Sequence, residues 1–246
     1  YLADVASKGA YPFCFADDMY FGDWSDTYKA WKNGDYTENG SLGGGRISNI
    51  TSNIWDNCYK GIRHASVTVN NIDINTELSK TEIADYKAQA RFLRAYYYWL
   101  MLRLFGPIPI LPDEGIDYMD DYDDVARPRN TYDECVEFIT SELASAARHL
   151  PDKRDMLEIV RPSKGAALAL RARVFLYAAS PLMNGKAPAE VASEMKDNNG
   201  NPLLSATYDD SKWAKAAAAA KDVMDLNIYD LHIAYAKADG DLANPA

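Results

Sequence analysis

The chain has 246 residues, which is long enough for one large domain or two small ones with a substantial buried core. Hydrophobic residues make up 48% of it and aromatic residues 12%, a composition that favours a globular protein over a disordered one. The formal net charge of −10 argues against nucleic-acid binding, which needs a basic surface, and offers no polybasic patch for an anionic membrane.

Residues 11–36 combine aromatic rings, carboxylates and amides without a clean helical or strand period. Aromatic rings stack on the flat C–H faces of sugars, while Asp, Asn and Lys side chains hydrogen-bond to sugar hydroxyls. We therefore interpret this segment as the candidate ligand-binding region. Its candidate contacts are Trp24, Tyr20, Asp23, Trp31, Asn33 and Tyr36, with Trp24 the strongest. The alternative is that the same rings pack the N-terminal segment onto the helices that follow.

Two helices are predicted next along the chain. Residues 48–75 place apolar side chains at steps of three or four, the period of a helix face. Ser79 and Glu82 form a capping box, in which each side chain satisfies an N–H group at the helix start. The second helix runs from this box to Phe105 and is ended by Pro107. The apolar face of the first helix consists of Ile54, Cys58, Ile62, Ala65 and Ile72.

Three further helices are predicted in the rest of the chain. Thr131 and Glu134 form a second capping box and open one helix. Ser163, directly after a proline, opens an alanine-rich helix. An aspartate, either Asp209 or Asp210, caps the last one. Alanines at helix contacts favour a tetratricopeptide-like (TPR-like) array of helical pairs, although the repeat follows no strict TPR consensus.

Two segments have more distinctive sequences than the patterns above. Residues 88–111 read AQARFLRAYYYWLMLRLFGPIPIL, an amphipathic helix that becomes almost wholly apolar before a Gly-Pro stop. Residues 161–180 read RPSKGAALALRARVFLYAAS, an Arg-Pro step followed by an alanine-rich helix. In this order they closely resemble the signature helices of the SusD/RagB family, the glycan-capturing lipoproteins of the Bacteroidetes outer membrane. The resemblance covers most of residues 49–183.

The resemblance implies an all-α, SusD-like fold with a TPR-like helical-pair array and long irregular loops. It implies a non-enzymatic protein, lipid-anchored at the extracellular side of the outer membrane. Such proteins capture an oligosaccharide and deliver it to a SusC-like TonB-dependent transporter during polysaccharide utilization, and some relatives carry peptides instead. The anchor is expected outside this chain. We expect no cofactor, no metal and no nucleic-acid partner.

The same resemblance bears on domain organisation. The last predicted helix has no pairing partner before the chain stops, and a bare solenoid face is unstable. Family members are longer and have a loop-rich C-terminal part. We therefore expect residues 1–246 to be one SusD-like domain that is incomplete. Residues 1–47 would form an irregular aromatic-rich segment, residues 48–227 the TPR-like helices and residues 228–246 the start of a loop-rich region.

Several other patterns have structural interpretations. Four consecutive aromatic residues at 96–99 point in four directions on a helix, so we expect core packing rather than one sugar platform. The cysteines match no metal motif and are predicted to be buried free thiols: Cys14, Cys58 and Cys135. The helix arginines are predicted to pair with carboxylates or carbonyls: Arg91, Arg94, Arg103, Arg171 and Arg173.

An acidic run lies between the second and third helices. It is a calcium-binding loop, a solvated loop or a surface that faces a partner protein, and it lacks the glycine and distal glutamate of an EF-hand. Its members are Asp117, Asp120, Asp121, Asp123 and Asp124. We favour the solvated loop.

Two other functions compete with glycan capture. A glycoside hydrolase would need two carboxylates about 5–10 Å apart, and no motif singles out such a pair. No catalytic residue is therefore proposed. A TPR-type scaffold that binds peptide cargo or a protein partner in its concave groove is the closer alternative.

Overall fold

The computed structural model describes residues 46–113, 121 and 126–231, and the side chains from residue 55 onward within them. In this part of the chain the secondary structure consists of α-helices, two short 3-10 helices and isolated β-bridges. The six α-helices are α1 Arg46–Asn71, α2 Lys80–Phe105, α3 Tyr132–Ala147, α4 Lys164–Ala179, α5 Ala189–Glu194 and α6 Ser211–Met224.

The long helices pack in chain order, α1 on α2, α2 on α3, α3 on α4 and α4 on α6. Helices α1 and α2 are antiparallel, since Trp55 meets Phe105 while Ser66 meets Arg94. Helices α2 and α3 are also antiparallel, since Tyr98 meets Phe138 while Arg94 meets Glu142. Helices α2 and α4 also touch, through an edge-to-face contact of Trp99 with Tyr177 at 4.9 Å. Helix pairs stacked in this way form a TPR-like array, so the predicted all-α fold class is confirmed.

The predicted helix starts are confirmed at the level of hydrogen bonds. Ser79 Oγ accepts from the Glu82 N–H at 3.2 Å, and Glu82 Oε2 accepts from the Ser79 N–H at 2.8 Å. Thr131 and Glu134 form the equivalent box, at 3.2 and 2.7 Å. Ser163 caps α4 by accepting from the Ala166 N–H at 3.4 Å. These bonds satisfy N–H groups that the first turn of a helix leaves unpaired.

At the start of α6, one of the two aspartates predicted to cap the helix makes the hydrogen bond. Asp210 occupies the position before the helix, but its side chain makes no capping hydrogen bond. Asp209 does this instead, because its Oδ1 accepts from the Ser211 N–H at 2.8 Å.

The core lies between α1, α2, α3 and α4. Trp99 is completely buried and Tyr98 is 1% exposed, whereas Tyr96 and Tyr97 are only partly buried. The four aromatic residues at 96–99 therefore contribute to packing on different sides, as predicted. The largest aliphatic members of the core, all fully buried, are Ile62, Met101, Leu102, Ile108, Ile139, Leu143 and Val174.

Two of the three predicted thiols can be assessed. Cys58 and Cys135 are buried and unpaired, and burial raises the pKa of each to about 11. Cys14 lies outside the described residues. For the described cysteines the prediction of buried free thiols is confirmed.

The stretch between α4 and α6 contains a short helix, α5, that the sequence did not reveal. Asn184, fully buried, holds this stretch together by pairing with the backbone of Asp209: its Nδ2 donates to the carbonyl and its Oδ1 accepts from the N–H, both at 2.9 Å. The Tyr132 N–H donates to the Leu203 carbonyl at 2.9 Å, which docks the stretch on the start of α3.

Candidate functional site

The six predicted sugar contacts lie outside the described residues. The interpretation of Trp24, Tyr20, Asp23, Trp31, Asn33 and Tyr36 as a ligand-binding region therefore stays a prediction. The acidic run from Asp117 to Asp124 is also outside this part of the structure, apart from Asp121, which is exposed.

Within the described part, a concave groove of about 1040 Å³ runs along α1. One wall is a face of α1, and the other is the segment Leu111–Pro112–Asp113 that follows α2. The residues of α1 recur at steps of three or four because one face of a helix supplies the wall. They are Trp55, Asp56, Tyr59, Lys60, Ile62, Arg63, Ser66, Val67, Asn70 and Asn71.

The two aromatic residues of the groove, Trp55 and Tyr59, are held in place by contacts with neighbouring residues. The Trp55 ring makes edge-to-face contacts with Tyr59 and with Phe105, each at 5.1 Å between centroids. Tyr59 is held by a hydrogen bond from its hydroxyl to the Pro109 carbonyl at 2.9 Å. Burial also raises the pKa of the Tyr59 phenol, which keeps it protonated as a donor. Trp55 is thus a partly buried, pre-organised ring in the lining of the groove.

The second wall is fixed by polar contacts with three helical residues. The Leu111 N–H donates to the Tyr98 hydroxyl at 2.9 Å. Asn70 Nδ2 donates to the Asp113 carbonyl, so α1 grips the segment across the groove. Arg94 Nη1 pairs with the Asp113 carboxylate at 2.6 Å. These contacts hold the segment 111–113 in place, so the second wall of the groove has a fixed position.

Arg94 also connects the groove to the core. It is 1% exposed, donates to Ser66 Oγ at 3.2 Å and pairs with Glu142 of α3 at 2.6 Å. Arg91 pairs with the other oxygen of Glu142 at 2.5 Å. Two guanidinium groups thus face two carboxylates, counting Asp113, and the cluster carries no net charge. Balanced pairing is what allows buried charges to persist.

The groove can bind a ligand by stacking and hydrogen bonding. Trp55 supplies an aromatic surface, while Asp56 and Lys60 are exposed hydrogen-bonding groups along the same wall. A mixed lining of rings and a few polar groups is typical of small-molecule sites. The described residues contain no group of three or more His, Cys, Asp or Glu side chains placed to hold a metal ion.

The groove residues were missed by sequence analysis, which treated the first helix only as a core element. The available signal was a second face of that helix, where Trp55, Tyr59, Ser66 and Asn70 lie beside the buried stripe that contains Cys58.

None of the described helices is both long enough and apolar enough to cross a membrane.

Comparison with known proteins identifies the family. Residues 4–176 match the model of the SusD-like family described as starch-binding proteins associating with the outer membrane. The match spans more than half of the chain and includes all of α2 and most of α4, the two signature helices. The chain therefore belongs to the SusD-like family.

Individual relatives agree with this assignment. A SusD-like protein of Bacteroides ovatus is 29% identical over 169 residues, which cover 65% of this chain and 29% of the relative. The solved structure of BT4246 is 33% identical with a TM-score of 0.62, covering 70% of this chain and 29% of the other. A solved structure with a xylogluco-oligosaccharide is 24% identical with a TM-score of 0.54, covering 89% and 36%. The last likeness supports the fold alone.

The matched region is a limited part of each relative. The chain spans less than a third of the length of the curated relatives it matches, with 29%, 27% and 30% covered.

Proposed function

We propose that this protein binds an oligosaccharide at the outer-membrane surface and delivers it to a SusC-like TonB-dependent transporter, without a catalytic step. The observation that carries the proposal is the family match over residues 4–176, whose description is starch binding and association with the outer membrane. Attachment through a lipid anchor on the extracellular side belongs to the same proposal.

Two regions are candidates for holding the sugar. The first is the predicted region around Trp24, which rests on residue type and on the family resemblance. The second is the groove along α1, where the pre-organised Trp55 ring lies beside exposed polar groups. Reversible capture needs stacking and hydrogen bonds but no reacting group, and both regions contain the side chains for it. The two regions make different predictions for mutants.

The experiment is isothermal titration of the whole chain with a panel of neutral glucan oligosaccharides. Wild type is compared with Trp24→Ala, Trp55→Ala and the control Trp213→Ala, whose tryptophan lies on α6 and is 41% exposed. Loss of a stacking tryptophan at the centre of a site is expected to weaken binding by about tenfold or more. The control should bind as wild type does.

The outcomes separate the regions. Binding that fails in Trp24→Ala alone supports the N-terminal region, and binding that fails in Trp55→Ala alone supports the groove. Failure of every oligosaccharide to bind folded wild-type protein would contradict the proposal for this chain. Hydrolysis of any of them would contradict its non-catalytic part.

A further inference from the structure

A second pocket lies between the first half of α2 and the C-terminal end of α3. Its volume is about 520 Å³, within the range of small-molecule sites. Ile83, Ala84 and Ala88 form an apolar part of the lining. The remainder is dominated by basic side chains and histidine: Lys80, Lys87, Arg91, Arg148 and His149.

The charge of this pocket is unbalanced. Among the described residues that line it, Asp73 supplies the one carboxylate, against four lysine and arginine side chains. Asp73 pairs with Lys87, while Arg91 pairs with the buried Glu142 behind the pocket. These two cations are therefore neutralised and held in place.

Lys80 and Arg148 are different. No carboxylate of the described residues forms an ion pair with either one. Arg148 is oriented by a hydrogen bond from its Nη2 to Ser145 Oγ at 3.0 Å, which leaves its other N–H groups for a further acceptor. Uncompensated cations gathered in one concavity repel one another, and an anion placed among them relieves that repulsion. This local excess occurs in a chain whose net charge is −10.

We infer that this pocket is an anion-binding site for a carboxylate or sulfate group. The group belongs either to a free inorganic anion or to an acidic sugar, for which the apolar lining offers a surface to the C–H face. A concave site of this volume favours a small anionic ligand over a flat protein surface. The inference goes beyond the proposed capture of an oligosaccharide and does not depend on it, because neither candidate sugar-binding region includes these residues.

The test is titration of the whole chain with sodium sulfate and, separately, with trigalacturonate, at constant ionic strength so that screening is equal. Maltotriose is the neutral comparison. The double variant Lys80→Gln/Arg148→Gln is compared with Arg173→Gln/Lys215→Gln, which removes the same charge at exposed positions outside the pocket. Single Lys80→Gln and Arg148→Gln variants provide a second measurement with less disturbance of the fold.

We expect saturable binding of at least one anion that weakens about tenfold or more in the pocket double variant and remains in the control. Each single variant should weaken it by a smaller factor. Binding of trigalacturonate identifies an acidic sugar as the source, and binding of sulfate alone identifies a free anion. Equal binding by the pocket and control variants, or no saturable binding of either anion to wild type, overturns the inference. The maltotriose result bears only on the proposed sugar capture.

Discussion

Arg94 of α2 and Glu142 of α3 form an ion pair inside the core, with Nη2 2.6 Å from Oε2 and side-chain exposures of 1% and 8%. Arg94 Nε donates to the same oxygen at 3.0 Å. Arg91 and Asp113 complete the cluster. Such a cluster is a weak source of stability as a whole, but each member is needed once the others are buried. The pair joins the helix packing to the groove wall.

The first prediction concerns this pair. Glu142→Gln leaves Arg94 buried without its main counter-charge, so the free energy of unfolding should fall by about 3–5 kcal/mol. Urea denaturation followed by circular dichroism measures this. The control is Glu137→Gln, an exposed position on the same helix, which should change the value by less than about 0.5 kcal/mol. Equal losses in the two variants would contradict a special role for the buried pair.

The sequence predicted that Arg91, Arg94 and Arg171 have structural partners, and this is confirmed by pairs with Glu142 and Asp222. It did not predict which carboxylates are the partners. Glu142 lies 48 residues beyond Arg94, and their meeting depends on how α2 and α3 pack. Caps, helix-ending prolines and apolar periods predict where helices begin and end. Which residues of two helices pair depends on how the helices pack, and local sequence signals do not predict this.

The groove could not be predicted from the sequence for the same reason, because it depends on contacts between helices. The groove needs the wall at 111–113, which is placed by the Tyr98 hydroxyl, Asn70 and Arg94 from two different helices. No local sequence pattern predicts that these three side chains contact the segment 111–113. The region around Trp24 can be predicted from sequence because its residue types suit sugars. Residue types alone do not say how those side chains are arranged in space.

The second prediction concerns the cap of α3. Thr131→Ala removes the hydroxyl that accepts from the Glu134 N–H, and the free energy of unfolding should fall by about 1 kcal/mol. Thr131→Ser keeps the acceptor and should remain close to wild type. Urea titrations of the three proteins measure the difference. A serine variant as unstable as the alanine variant would indicate that the methyl group, not the cap, matters.

The third prediction is a pH dependence at the same cap. The hydrogen bond from the Thr131 N–H lowers the pKa of Glu134 below its ordinary value. Because the folded pKa lies below the unfolded one, the ionised carboxylate stabilises the fold above the unfolded pKa. This contribution is lost as the pH falls through the folded pKa. Wild type should therefore lose more thermal stability than Glu134→Gln between about pH 7 and about pH 3.

Glu134→Gln keeps an acceptor in the box but cannot titrate, so all other carboxylates contribute equally to both curves. The measurement is the unfolding midpoint temperature against pH for the two proteins. Parallel curves would contradict the titration of Glu134 as a source of acid sensitivity.

The fourth prediction concerns the buried thiols. Burial raises the pKa of Cys58 and Cys135 to about 11, so neither is a thiolate at neutral pH and neither is accessible. In a Cys14→Ser background, Ellman's reagent should detect almost no thiol in the native protein and both thiols in concentrated urea. Rapid modification of either one without denaturant would show that α1 or α3 opens readily.

The last prediction compares two glycines with the same backbone handedness. Gly185 has φ +69°, and a Cβ there would come within 2.2 Å of the Thr207 carbonyl carbon and 2.3 Å of the Tyr208 nitrogen. Gly200 has φ +83°, and nothing lies within 4 Å of a Cβ at that position. Gly200→Ala should therefore lower the free energy of unfolding by about 1–2 kcal/mol, because the only penalty is a Cβ in the left-handed backbone conformation. Gly185→Ala should cost more, because a backbone segment must also move. Thermal unfolding of the two variants measures the difference, which isolates the close approach of the 205–208 segment to the turn after α4. Equal destabilisation would mean that this segment yields easily and that the contact contributes little.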